Sequence, residues 1–277
     1  MRIGIVGLGL IGGSLGLDLR SGYEVFGVSR QETTCQIALQ RGAVARASIN
    51  LDLLATVEII FICTPLDAIV PTVKQLISYL SPETIITDVG SVKQPIVEEC
   101  SRLWTNFVGG HPMAGTAEQG IEAAEKGLFV GKPYVLTKTL KTPYAALKKV
   151  EEIVKSLGSI MYYSSPEEHD RAVAWISHLP VIISAALIDA CMQETDFTVL
   201  QLAQNLASSG FRDTSRVGSG NPELGVMMAR YNRQALLRSL LQYRQSLDRL
   251  INKIEQKDWE SLGDILQSTQ AARKQFD

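Results

Sequence analysis

The chain has 277 residues, 45% hydrophobic and 20% charged, with a formal net charge of −2 at neutral pH. That length allows two domains, and the near-balanced charge excludes any broad attraction to nucleic acid or to an acidic membrane surface. Cys35, Cys63, Cys100 and Cys191 form no C-x-x-C pair, so they are expected as small buried hydrophobes in a reducing compartment, not as a disulfide or zinc framework.

The N-terminus opens straight into the β-rich run "RIGIVG" (2–7), without the charged and apolar regions of a secretory leader, so a cytoplasmic protein is expected. Gly7, Gly9 and Gly12 follow as G-x-G-x-x-G, directly after that strand and at the start of the helical segment "IGGSLGLDLRS". In this context the first glycine permits the tight turn, the second lets backbone approach a pyrophosphate, and the third packs helix against strand. The anion then sits on free N–H groups at the helix N-terminus, so Gly7, Leu8, Gly9, Leu10, Ile11 and Gly12 are the expected phosphate cradle.

The second strand, "EVFGV" (24–28), ends in Ser29 and Arg30. An NAD site usually places Asp or Glu here to hold the ribose 2′-hydroxyl. A hydroxyl followed by a guanidinium suits a 2′-phosphate instead, so NADP is the expected cofactor, bound by Ser29 and Arg30.

Further strands are predicted at "VEIIFIC" (57–63), "ETIITDV" (83–89), "NFVGG" (106–110), "PYVLTK" (133–138) and "SIMYYS" (159–164), with helical segments such as "LDAIVPTVKQLISYL" and "PYAALKKVEEIVKSLG" between them. Strands separated by helices predict a mainly parallel sheet covered on both faces. The stretch "GGHPMAG" (109–115) puts one of only three histidines between glycines and a proline, in an expected loop. Imidazole titrates nearest neutrality, so a histidine there is a candidate proton acceptor.

After Ser165 no strand is predicted and apolar residues recur at helical spacing. The stretch "AVAWISHLPVIISAALIDA" is interrupted by His178 and Pro180 and falls short of a clean membrane span. Asn221 and Pro222 carry a helix-start signal. Beyond them Leu236, Leu240, Leu247, Leu250, Ile251 and Ile254 line one face of a long helix expected over about 230–256. The expected organisation is an α/β Rossmann-type domain (1–165) followed by an all-helical substrate-binding and dimerisation domain (166–277), in a homodimer that binds neither nucleic acid nor membrane.

The set "GLGLIGGS" (7–14), "TP" (64–65), "DVGSVK" (88–93), "GGHPMAGT" (109–116), "AWISHLP" (174–180) and "FRDTSRVGSGNPEL" (211–224) resembles the prephenate/arogenate dehydrogenase family of tyrosine biosynthesis, in order and over nearly the whole chain. The resemblance implies a dimer, a Rossmann-type domain and oxidative decarboxylation of a cyclohexadienol with a small-molecule substrate, arogenate or prephenate. It implies His111 as the proton acceptor, Ser91 as its supporting hydroxyl and Thr64 and Pro65 at the cofactor. Arg216 would grip the substrate side-chain carboxylate, with Arg212 as second choice and His178 at the pocket wall. Ser91 could equally cap the helix after it. Prephenate-using relatives often read "HLPH", whereas here Val181 takes the last place, so arogenate is the expected substrate. His169 reads as a surface or domain-junction residue, and Lys93 as a solvated residue near a helix start. The weaker readings are a β-hydroxyacid dehydrogenase, which would need a lysine in the helical half, and a non-catalytic NADP sensor, which would need a partner surface.

Overall fold

Strands β1 (Arg2–Val6), β2 (Glu24–Val28), β3 (Arg46–Ser48), β4 (Ile59–Ile62), β5 (Ile85–Asp88), β6 (Phe107–Pro112), β7 (Pro133–Thr137) and β8 (Ile160–Ser164) form a single sheet in the computed structural model. The structure describes residues 1–116 and 118–276, so Asp277, the end of the expected second domain, lies outside it. The order is β3-β2-β1-β4-β5-β6-β7-β8, parallel throughout except between β6 and β7.

The central strands are continuous apolar runs because both their faces are buried. Successive residues alternate between two cores. Ile59 and Phe61 pack on one face with Leu15 and Leu19 of α1 (Leu10–Leu19) and Val150 and Val154 of α5 (Tyr144–Ser156). Ile60 and Ile62 pack on the other with Ile69 and Val73 of α3 (Leu66–Leu76) and Ile96 and Val97 of α4 (Gln94–Leu103). Helix α2 (Glu32–Gln40) leads to β3. That strand, "RAS", was not anticipated. It lacks an apolar run and is held by its register with β2, with the Arg46 guanidinium 5.1 Å from the centre of the Phe26 ring.

Past β8 the described residues are helical: α6 (Pro166–Val173), a π-helical turn (Ala174–His178), α7 (Leu179–Met192), α8 (Phe197–Leu206), α9 (Ser209–Ser215), α10 (Pro222–Tyr231), α11 (Arg233–Glu255) and α12 (Trp259–Arg273). Ser165 starts α6 with a reciprocal capping box to Glu168. The expected long helix is α11, and a separate helix, α10, precedes it. Asn221 caps α10 by accepting from the Glu223 N–H at 2.8 Å, and the chain breaks at Asn232 before α11 begins.

The helical run Pro166–Met192 is longer than the apolar stretch read from sequence. Its 27 residues are long and apolar enough to cross a membrane by length and composition, and only 28% of its most apolar window is buried. Its inward side nevertheless carries buried His169, Asp170, His178 and Ser184, each hydrogen-bonded within the protein. Leu247, Ile251 and Ile254 of α11 are exposed in the single chain, as are Phe197, Leu202 and Leu206 of α8. Of the four free cysteines, Cys35 and Cys100 are buried as expected, whereas Cys63 and Cys191 are only partly so.

Candidate active site

Strands β1, β4, β5 and β6 are parallel neighbours, so their C-terminal ends share one edge of the sheet. That edge gathers the Gly7–Gly12 loop, Thr64 and Pro65, Ser91 and His111. The crevice outside strand C-termini, where strand order reverses, is where open α/β sheets bind ligands.

The glycine loop has the backbone the motif requires. Gly7 sits at φ +96°, and a Cβ on it would lie 2.5 Å from the Cys63 carbonyl oxygen. A Cβ on Gly12 would lie 1.9 Å from the Gly7 oxygen. Gly9 differs: it faces open space, with nothing within 4 Å of an added Cβ. It also stands at the N-cap of α1 with no side chain closing the helix end. Free N–H groups beside an open approach fit a pyrophosphate. The Thr64 hydroxyl is buried nearby on the next strand end without a hydrogen-bond partner among the described residues, as expected of a group that meets a ligand. Ser29 and Arg30 follow β2 as predicted, and the nearest carboxylate along the chain is Glu32, which opens α2.

His111 is a strand residue, not a loop residue. Strand β6 continues through Pro112 because residues 109–112 pair antiparallel with β7, His111 opposite Val135. The ring is buried, and its Nδ1 lies 2.8 Å from His169 Nε2. His169 Nδ1 in turn lies 2.8 Å from Asp170 Oδ1. The Asp170 carboxylate accepts the Lys93 N–H at Oδ1 (2.7 Å) and the Gln94 N–H at Oδ2 (2.8 Å), tying α6 to the start of α4. Burial, reinforced by the neighbouring His169, Lys93 and His178, holds the His111 pKa well below the ordinary 6.5. The ring is therefore a neutral acceptor at physiological pH.

His178 is fixed by the π-helical turn that precedes Pro180, where the missing proline N–H would interrupt a regular helix. Asn232 donates to His178 Nδ1 at 3.1 Å and to the Asp170 backbone oxygen at 2.7 Å. With Nδ1 accepting, the neutral His178 carries its proton on Nε2, which is buried without a partner among the described residues. Burial pulls the His178 pKa down to about 4, against the opposing pull of Asp170.

Two sequence readings are overturned here. Lys93 is fully buried, not solvated: its ammonium forms an ion pair with Asp88 and donates to the Gly110 oxygen at 2.6 Å. Burial lowers its pKa while Asp88 opposes the shift. Ser91 does not cap a helix, since α4 has Lys93 at its N-cap and no side-chain cap there. Its buried hydroxyl has no hydrogen-bond partner among the described residues. His169 does lie at the junction of sheet and helices, but in the interior, not at the surface. No motif match gave it a role in the site.

Arg212 in α9 and Arg216 in the short 3-10 turn after it are exposed, and neither forms an ion pair among the described residues. The turn packs on α7, with Gly218 close against the Ser184 and Ala185 backbone. Neither guanidinium is bonded to the histidine cluster.

Residues 15–163 match the family model of the prephenate dehydrogenase nucleotide-binding domain, and residues 165–268 that of the prephenate dehydrogenase dimerization domain. The chain is similar to the solved Synechocystis arogenate dehydrogenase, at 56% identity and a TM-score of 0.91 over 100% of both chains. It is also similar to the Aquifex aeolicus prephenate dehydrogenase solved with hydroxyphenyl propionate and NAD+, at 28% identity and a TM-score of 0.94 over 100% of this chain and 98% of that one. The prephenate dehydrogenase of Bacillus subtilis is 31% identical over 266 residues, 93% of this chain and 71% of that protein.

Proposed function

The chain belongs to the prephenate dehydrogenase family, and from that premise we propose that it converts arogenate to tyrosine by NADP-dependent oxidative decarboxylation. The observation that carries this reading is a buried, neutral imidazole at the strand edge that also bears an open dinucleotide cradle.

When bound, the nicotinamide supplies the hydride acceptor. The remaining work falls to this chain's side chains. As the ring C–H bond breaks, the 4-hydroxyl loses its proton to His111, and general-base assistance of this kind is worth about 10²–10⁴-fold. The ring carboxylate leaves as CO₂, its bonding pair completes the aromatic ring, and the proton returns from His111 to the phenolate oxygen. The unpartnered Ser91 hydroxyl and His178 Nε2–H meet the substrate's polar groups. Arg216, with Arg212 as the alternative, takes the side-chain carboxylate.

Arogenate is favoured over prephenate by the 56% identity to the Synechocystis arogenate dehydrogenase and by Val181. That residue stands one helical turn beyond His178, where a second histidine would face the keto group of prephenate. NADP is favoured by Ser29 and Arg30 at the end of β2. The residues up to 165 form the cofactor domain and the rest the substrate and dimer domain. A second copy covers the exposed leucines and isoleucines of α8 and α11, and the homodimer works in the cytoplasm, binding neither nucleic acid nor membrane. Assays of arogenate and prephenate, each with NAD and NADP, test the reading. Turnover restricted to prephenate, or an NAD preference, would reverse the corresponding part.

A further inference from the structure

The three buried side chains His111, His169 and Asp170 form an unbroken line of hydrogen bonds whose proton positions are fixed from its far end. Asp170 already accepts two backbone N–H groups, so as a carboxylate it can only accept from His169 as well. His169 therefore carries its proton on Nδ1. With that ring neutral, its Nε2 is a bare acceptor, and the hydrogen between the two rings belongs to His111 Nδ1. This leaves the lone pair of neutral His111 on Nε2, which has no hydrogen-bond partner within the described structure.

We infer that His169 and Asp170 are positioning residues that hold His111 in the Nδ1–H tautomer, turning its Nε2 lone pair toward the reacting hydroxyl, and that they draw the positive charge of the protonated ring inward. The inference deepens the reading above and rests on it for the identity of the reacting group. When the substrate proton bonds to His111 Nε2, the Nδ1–H already points at a neutral imidazole backed by a carboxylate. The ring thus gains a charge without a donor or acceptor being left unpaired. The other charged and titratable groups facing the line are the Lys93–Asp88 pair and His178 on its inner side. On the outer side of Asp170, Glu98, Glu167, Arg171, Arg230, Arg233 and Arg238 border a cavity of about 600 Å³. Because Asp170 also binds the first N–H groups of α4, the element that orients the base is the one that joins helices to sheet.

The direct test is nitrogen NMR of the imidazoles in ¹⁵N-histidine-labelled protein, simplified by there being three histidines. At neutral pH His111 is expected with a protonated Nδ1 and a bare Nε2, and Asp170→Asn is expected to reverse or mix that pattern. Kinetics supply a second arm. His169→Leu is expected to lower kcat by about 10²–10⁴-fold with KM and NADP affinity little changed. His169→Gln, whose amide oxygen can still accept the Nδ1–H, recovers part of that loss. An Nε2–H tautomer of His111 in the unaltered protein, or full kcat in His169→Leu, overturns the inference. Circular dichroism checks folding, and should Asp170→Asn fail to fold, the His169 pair decides. If the unaltered protein turns over neither arogenate nor prephenate, the functional reading falls, while the NMR arm still decides the tautomer.

Discussion

Lys93 and Asp88 form an ion pair with neither side chain exposed, and the same ammonium donates to the carbonyl of Gly110, the residue before His111. Asp88 also accepts the Gly90 and Gly110 N–H groups, so the pair joins β5 to β6 beneath the base. Removing one partner of such a pair strands the other charge. Lys93→Met is expected to cost about 3–5 kcal/mol, read as a lower urea midpoint, whereas replacing both Lys93 and Asp88 by apolar residues recovers much of that loss. A single variant as stable as the parent would show that the pair holds nothing.

Histidine protonation sets a pH window for stability. The folded-state pKa values of His111 and His178 lie below the ordinary 6.5, that of His178 at about 4. Below pH 6.5 the unfolded chain takes up protons that the folded protein refuses. Stability is therefore full above that pH and falls as pH drops toward the folded values. Each group contributes a slope of about 1.4 kcal/mol per pH unit inside the window. Denaturation midpoints measured at neutral pH and at about pH 5 should differ clearly, and identical midpoints would contradict the burial of these rings.

Much of this architecture was legible because local pattern and tertiary role coincided. The run from Arg2 to Gly12 states strand, turn and helix in one breath, and the structure gives each glycine the backbone position the motif needs. What was not legible depended on partners distant in sequence. Strand β3 exists only through its pairing with β2. His111 looked like a loop residue because its strand partner Val135 lies 24 positions on. Lys93 looked solvated because a lysine near a helix start usually is, and nothing local announced Asp88 as its buried partner. His169 gave no periodic or motif signal that it would meet a ring 58 residues away.

Cofactor choice is tested at the end of β2. Ser29→Asp is expected to weaken NADP use by like-charge repulsion with the 2′-phosphate and to improve NAD relative to it. The ratio of kcat/KM values for the two cofactors reads this directly, and an unchanged ratio would move the 2′-phosphate contact elsewhere.

Substrate grip is tested at Arg216. Its guanidinium is exposed and without an ion-pair partner among the described residues, so it is available to a carboxylate. Arg216→Ala is expected to raise the KM for arogenate steeply, by the equivalent of about 2–5 kcal/mol, with NADP affinity nearly intact. If KM does not move, Arg212 becomes the first alternative.

The claim on which the rest depends is that His111 takes the hydroxyl proton. His111→Asn keeps polarity and approximate size but cannot accept that proton at neutral pH. The decisive measurement is kcat/KM as a function of pH for the parent and this variant. The account predicts that kcat falls by about 10²–10⁴-fold with cofactor affinity preserved. It also predicts that the parent profile declines only on the acidic side, below pH 6.5 as the depressed pKa requires, and that the variant lacks this limb. Near-full activity in His111→Asn with the same acidic limb would contradict it and assign the base to another residue.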